Sequence, residues 1–398
     1  MVRNIIEDVK KRGDQALLEA TSKYDGVDLR SIGFKVEVEE YTRAYDKVSG
    51  KQVTALERAK ERIKEFSKIQ LEGLKSIYKP LPSIQVSTAL KPFDSVGCYI
   101  PGGQAAYPST VIMAAIPALV AGVKRIVICS PPSPQGLNPL MLVACDICRV
   151  GEVYRVGGAQ AVAALAYGTT SIKPVSKIVG AGNIYVTYAK IEVSKDVAVD
   201  LPAGPSEILV LADDDADARL VALDLAAQAE HGASSICGLV TTSSSLIRAV
   251  EEELTKTLDE ARRREVIEKA LRGNGFAAIA EEMDDCVDFV NGFAPEHLEI
   301  LTVEPRDLVE RISSAGLILL GASSPVAATD YGVGPNHILP TGGYAKTSSG
   351  LSVIDFVKRV NVVEFGLDGL RAVAEDVVTI AEGEGLYAHA RSIKERLT

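Results

Sequence analysis

The sequence has 398 residues, 47% of them hydrophobic and 24% charged, the balance of a folded globular chain rather than a disordered one. That length exceeds one comfortable core and predicts two or three lobes. A formal net charge of −10 leaves no basic footprint for nucleic acid or an anionic membrane, so small molecules are the expected partners.

Residues 1–80 read as helix, with Ile, Leu, Ala and Val at helical spacing between charged faces, as in residues 53–69. Glu7 and Asp8 interrupt the apolar stretch that a signal peptide needs, so a cytoplasmic location is expected. From Ser95 the texture changes to short β-branched runs followed by Ala-rich helical stretches. The runs cover residues 96–100, 125–129, 153–156 and 177–179, then 207–211, 236–240, 276–279, 297–301 and 316–320. Such alternation predicts an α/β fold of two similar lobes with parallel sheets, whose ligands collect beyond the carboxyl ends of the strands. The apolar run 111–123 is too short to span a bilayer and reads as a core helix. Cys145 and Cys148 fall on one face of an apolar helix, where burial is the simpler reading than half a metal site. Residues 369–398 read as a helical tail bent at Gly383 and Gly385.

The chain has four histidines, each in a polar string broken by Gly, Pro or Ala. Imidazole titrates near neutral pH and is the commonest metal ligand, so four selective placements point to a site assembled from distant segments. A helix is expected from the acids Asp213, Asp214 and Asp215 to Gly232, with Gln228 and His231 three apart in its last turn. They are either ligands of a zinc-like ion or a helix end in which His231 meets carbonyls. Glu296 and His297 stand side by side ahead of a strand, either as an acid/base pair or as a capped turn. Asp330 and His337 share a Gly- and Pro-rich loop that could hold a carboxylate ligand or be a surface turn. Two glycine strings, Pro101-Gly-Gly103 and Gly180-Ala-Gly-Asn183, follow predicted strands, but neither completes the three-glycine dinucleotide fingerprint.

Taken in order, these strings resemble the histidinol dehydrogenase family. The resemblance runs from about residue 3 to 396. It rests on Val96 to Gly103, Val156-Gly-Gly-Ala-Gln160, Gly180 to Asn183, Pro202-Ala-Gly-Pro-Ser206-Glu, Gln228-Ala-Glu-His231, Pro295-Glu-His297, Asp330-Tyr, Asn336-His337 and Glu384 to His389. Gly180-Ala-Gly replaces the family's usual Gly-Pro-Gly, and the sequence starts later than many members without losing a matched site residue.

The resemblance implies oxidation of L-histidinol to L-histidine with zinc and two NAD. Gln228, His231, Asp330 and His389 would be the zinc ligands, which also meet the substrate, and Glu296 and His297 the acid/base pair. Ser206, His297, His337 and Glu384 would line the substrate pocket, and Tyr99, Gln160 and Asn183 would contact NAD. Family members are homodimers whose carboxyl-terminal tail crosses to the partner.

The expected division is a helical arm and lead-in over 1–94, a lobe with NAD-binding loops over 95–205, a lobe with metal and acid/base residues over 206–364, and the tail over 365–398. Two alternatives stand beside this reading. One is a sulfopropanediol-type dehydrogenase on the same scaffold, disfavoured by the repulsion between Glu384 and a sulfonate. The other is a zinc hydrolase, separable by its independence of NAD.

Overall fold

The computed structural model describes residues 1–102 and 106–398; Gly103, the last residue of one candidate glycine string, lies outside the described residues. The chain forms two compact units, Met1–Ser67 with Phe93–Phe356, and Lys68–Pro92 with Val357–Thr398.

The first unit opens with the helices Val2–Arg12, Asp14–Asp25, Leu29–Ile32 and Val38–Tyr45, followed by the long helix Gly50–Glu72, whose residues from Lys68 on belong to the second unit. The helical reading of the amino-terminal segment holds as far as Glu72. Two parallel five-stranded sheets follow. The first has the spatial order Glu152–Tyr154, Arg125–Cys129, Ser95–Tyr99, Lys177–Val179 and Ala198–Val199. The second repeats it with Gly275–Ile279, Ile236–Thr241, Glu207–Ala212, His297–Leu301 and Leu317–Leu320. Counted along the chain, each sheet runs 3-2-1-4-5, a doubly wound order with its reversal between the first and fourth strands. The two Rossmann-like lobes expected from the strand–helix alternation are therefore present.

Alternation along the strands makes both faces of the second sheet apolar. Ile208, Val210 and Ala212 pack with Leu225 and Ala226 of the helix Ala218–Ala229 on one side. Leu209, Leu211, Leu298 and Ile300 pack with Val287 and Val290 of the helix Met283–Phe293 on the other. A strand covered on both faces cannot show polar/apolar alternation, which is why these runs read as continuous hydrophobic stretches. The six cysteines are free and buried. Among the described residues no helix is long and apolar enough to cross a membrane.

The helix carrying Gln228 starts at Ala218 rather than at the Asp213 cluster, because Asp217 is the cap and accepts the Arg219 N–H at 2.8 Å. Asp213 instead accepts the Val303 N–H at 2.8 Å. The helix ends at Ala229, so His231 lies in the turn beyond it.

The second unit is an antiparallel sheet of Ile77–Tyr78, Ile84–Pro92 and Val357–Phe365, followed by the helices Leu367–Gly383 and Tyr387–Lys394. Gly385, at φ 76°, makes the bend between those helices that the tail sequence predicts. The long strand pair is largely exposed or half-buried, so it left no apolar run to find.

Gly180 ends the strand Lys177–Val179 at φ +115°, and a Cβ there would meet the Tyr99 carbonyl oxygen at 2.1 Å. Gly180→Ala is expected to destabilise by at least about 1–3 kcal/mol. Gly273→Ala, within the helix Arg264–Asn274 and facing open space, should be neutral or stabilise by up to about 1 kcal/mol. Denaturant midpoints at unchanged slope would measure both, and equal stability of the two variants would contradict this packing.

Candidate active site

In the first lobe the candidate nucleotide residues gather where the strand order reverses. Tyr99 ends the central strand, and its hydroxyl oxygen accepts the Gly158 N–H at 3.1 Å. Gln160 is buried in the first turn of the helix Gly158–Tyr167. Asn183 caps the helix Ile184–Val193, its side chain accepting the N–H groups of Tyr185 and Val186 at 3.0 and 3.2 Å.

The loop before that helix, Gly180-Ala-Gly, carries only one methyl group. A Cβ on Gly182 would fall 2.7 Å from Val186 and 2.9 Å from the Tyr99 ring. Gly180 is held at both polar atoms: its N–H donates to Asp200 at 2.7 Å and its carbonyl accepts from Lys190 at 2.8 Å. Asp200 and Lys190 are themselves a buried ion pair. A fixed glycine loop leading into a capped helix at a switch point suits the pyrophosphate of a dinucleotide.

The second lobe builds its cluster at the opposite edge of its sheet. Glu207 and His297 are the first residues of neighbouring parallel strands, so the polar cluster lies at their amino ends, not beyond the carboxyl ends as expected. The helix after Glu207–Ala212 runs back antiparallel to the strand and returns its last turn, with Gln228, to that edge.

The Glu207 carbonyl oxygen faces His297 Nδ1 at 3.1 Å and Gln228 Nε2 at 3.2 Å. A carbonyl can only accept, so Nδ1 of a neutral His297 carries the proton. His297 Nε2 is then the ring's lone-pair atom. It is buried without a hydrogen-bond partner and lies 3.8 Å from Asp330 Oδ1. Glu296 Oε2 accepts the Glu207 N–H at 2.7 Å and sits 3.5 Å from His297 Nδ1.

Burial alone would hold His297 neutral. Glu296, Asp330 and the Glu207 carbonyl outweigh it and raise the pKa to about 9. Burial likewise works to raise Asp330, yet His231, His297 and His337 carry its pKa below the usual carboxylate value. His337, only 3.0 Å from Thr110 Oγ1 and 2.8 Å from the Asp330 carbonyl, is pushed down by burial. Its Nδ1–H therefore donates to that carbonyl, and its Nε2 accepts from the Thr110 hydroxyl.

His231 Nε2 stands 3.8 Å from Asp330 Oδ2. That is too long for a hydrogen bond, but two donors bound at about 2.0–2.1 Å to one tetrahedral ion stand roughly 3.3 Å apart. With Gln228 Nε2 spent on the Glu207 carbonyl, its Oε1 is the atom left for a cation. The donors fit zinc, an ion that takes nitrogen and oxygen ligands. Among the described residues no three His, Cys, Asp or Glu side chains form a metal cage. This cluster supplies His231 and Asp330 beside Gln228. Ser206 is half-buried directly before Glu207, while Glu384 and His389 are exposed on the other compact unit.

Sequence reasoning missed the part played by Glu207, because its main-chain atoms hold three of these side chains and its identity carries no signal for that. It also missed Thr110, whose side-chain hydroxyl holds His337.

The chain as a whole is similar to known proteins. The family described as histidinol dehydrogenase matches residues 1–397. The chain is 45% identical to the histidinol dehydrogenase of Methanococcus maripaludis over 396 residues, covering 100% of this chain and 92% of the relative. It is 47% identical to that of Clostridium acetobutylicum, covering 99% and 91%. The crystal structure of histidinol dehydrogenase from Elizabethkingia anophelis superposes with a TM-score of 0.94 at 36% identity, covering 100% of this chain and 91% of the other. The polar cluster of the second lobe thus stands in an oxidoreductase, and the chain belongs to the histidinol dehydrogenase family.

Proposed function

We propose that this chain oxidises L-histidinol to L-histidine with two NAD at a zinc-dependent site, in the cytoplasm, as the last step of histidine biosynthesis. The observation that carries the reading is His297: a buried imidazole with Nδ1 engaged and Nε2 unpartnered, beside Glu296 and Asp330.

Alcohol to carboxylate removes four electrons and each NAD accepts two, so two hydride transfers pass through histidinaldehyde. Bound zinc would act as a template that fixes the substrate's nitrogens and hence its reacting carbon. Gln228, His231, Asp330 and His389 are its proposed ligands. With Asp330 engaged as a zinc ligand, one of the carboxylates that hold His297 as imidazolium would be withdrawn. His297 Nε2 then takes the hydroxyl proton as the first hydride departs. Glu296, anchored by one oxygen on the Glu207 N–H, takes a proton from the attacking water while His297 returns its proton to the aldehyde oxygen, which forms the hydrate and leaves His297 neutral again. His297 next deprotonates the hydrate for the second transfer.

Ser206 and His337 line the pocket, and Glu384 attracts the substrate ammonium. Tyr99, Gln160 and Asn183 hold NAD. The protein works as a homodimer in which Glu384 and His389 complete the partner's site, closing it over the aldehyde.

Purified protein supplied with L-histidinol, NAD and zinc should form two NADH per substrate consumed and release no trappable aldehyde. A ratio of one would sink the four-electron reading. His297→Asn should lower kcat on the order of 10²- to 10⁴-fold with zinc retained; a fall below tenfold, with chemistry shown to limit turnover, assigns the base elsewhere. Mixing inactive His389→Ala and His297→Asn homodimers should restore activity, since a crossing tail puts both defects in one site and leaves the other intact. No recovery in confirmed heterodimers would rule out the shared site.

A further inference from the structure

Two residues along its strand from His297 lies Glu299, only 1% exposed. Leu298 and Ile300 belong to the apolar layer on one side of the sheet, and Leu301 to the layer containing Leu225 and Ala226. By strand alternation His297 and Glu299 therefore face the helix Ala218–Ala229. That puts a carboxyl group into a hydrocarbon layer, which is costly unless the group is engaged on all sides.

Two neighbours engage it. Glu299 Oε1 accepts the Val326 N–H at 2.9 Å. Its Oε2 is buried without a hydrogen-bond donor, and the charge nearest to act on it is the Asp224 carboxyl. Two carboxyl groups can hydrogen-bond only if one carries a proton. Burial, then the Asp224 charge, raises Glu299 to about 8.

These neighbours sit one turn from site residues. Asp224 is four residues before Gln228 on the same helix. Val326 opens the short helix Val326–Asp330, four residues before Asp330. Glu299 is two residues after His297 on the same strand face. The same three elements thus meet in two successive layers, Asp224, Glu299 and Val326 beneath Gln228, His297 and Asp330.

We propose that Glu299 is a positioning residue whose carboxyl group, held between Asp224 and the Val326 N–H, sets the spacing of Gln228, His297 and Asp330. The inference rests on the zinc-and-base reading of that cluster. Glu299 touches neither substrate nor cofactor and acts through the elements it joins. As the protonated partner it donates to Asp224 and accepts from Val326, so a glutamine can take over both bonds.

The test is zinc affinity of the metal-free protein, titrated against a chromogenic chelator, together with kcat and thermal stability. E299L leaves the Val326 N–H without its acceptor and Asp224 without its companion, so its Tm should fall below wild type. Its zinc affinity and kcat should each fall about 10- to 100-fold. E299Q should stay within about threefold of wild type in both, a rescue that loss of general packing would not produce. V326P removes the donated N–H at a first helical position where proline is tolerated, and it should lose zinc affinity in the same direction if E299L does not fold.

Wild-type protein that binds no zinc overturns the metal reading and this inference with it. Wild type that binds zinc, beside E299L and V326P of unchanged affinity and kcat, overturns the positioning role alone. E299Q as impaired as E299L overturns the shared proton.

Discussion

One main-chain carbonyl, that of Glu207, organises the polar cluster. It stands at the first position of its strand, at the open end of the sheet, where side chains can reach its lone pairs. They are occupied by His297 and Gln228, and the N–H of the same residue goes to Glu296. A backbone group at the edge of a packed sheet cannot rotate away, and its carbonyl can only accept. The Nδ1 proton of His297 is thereby held in both charge states, so Nε2 is the nitrogen that gains and loses a proton, a choice made by the fold rather than by solvent.

Water is excluded here, which makes each polar partner count for more. Glu207 itself is raised to about 7, chiefly by burial, against the steadying N–H of Gly342 at 2.8 Å. Asp330 goes the other way because three imidazoles surround it. Carboxyl groups close in space are thus driven to different protonation states, the separation that lets one acid accept protons or cations while another stays neutral. Packing and electrostatics are not separable at such a site, since the apolar layers that bury Glu299 and Glu207 are also what shift them.

The two lobes share a strand order but use opposite edges. The first presents its glycine loop beyond the carboxyl ends of Ser95–Tyr99 and Lys177–Val179, where βα turns and a helix amino terminus converge. The second uses the amino edge, where the returning helix Ala218–Ala229 and the segment entering His297 meet. The lobes are joined directly by Asn336 donating to the Met113 carbonyl at 2.7 Å and by His337 on Thr110. Gene-duplication-like repetition of a fold therefore does not repeat the site; what differs is which loops carry polar side chains.

The sequence by itself determined the alternation of strands and helices, the two parallel lobes, the bend at Gly385 and the strings holding the site residues, because hydrophobic periodicity and glycine and proline placement are local properties. It also determined the family, through motifs spread over nearly the whole chain. It did not determine that Asp217 rather than Asp213 caps the helix, since a cap depends on which side chain reaches an N–H and neighbouring acids are equivalent in composition. Nor did it determine the edge on which the second cluster forms, the tautomer of His297, or the burial of Glu299 against Asp224. Those depend on which residues of separate segments come within hydrogen-bonding distance, and only the tertiary structure decides that, because a side chain's partner and its solvent are properties of the packed fold.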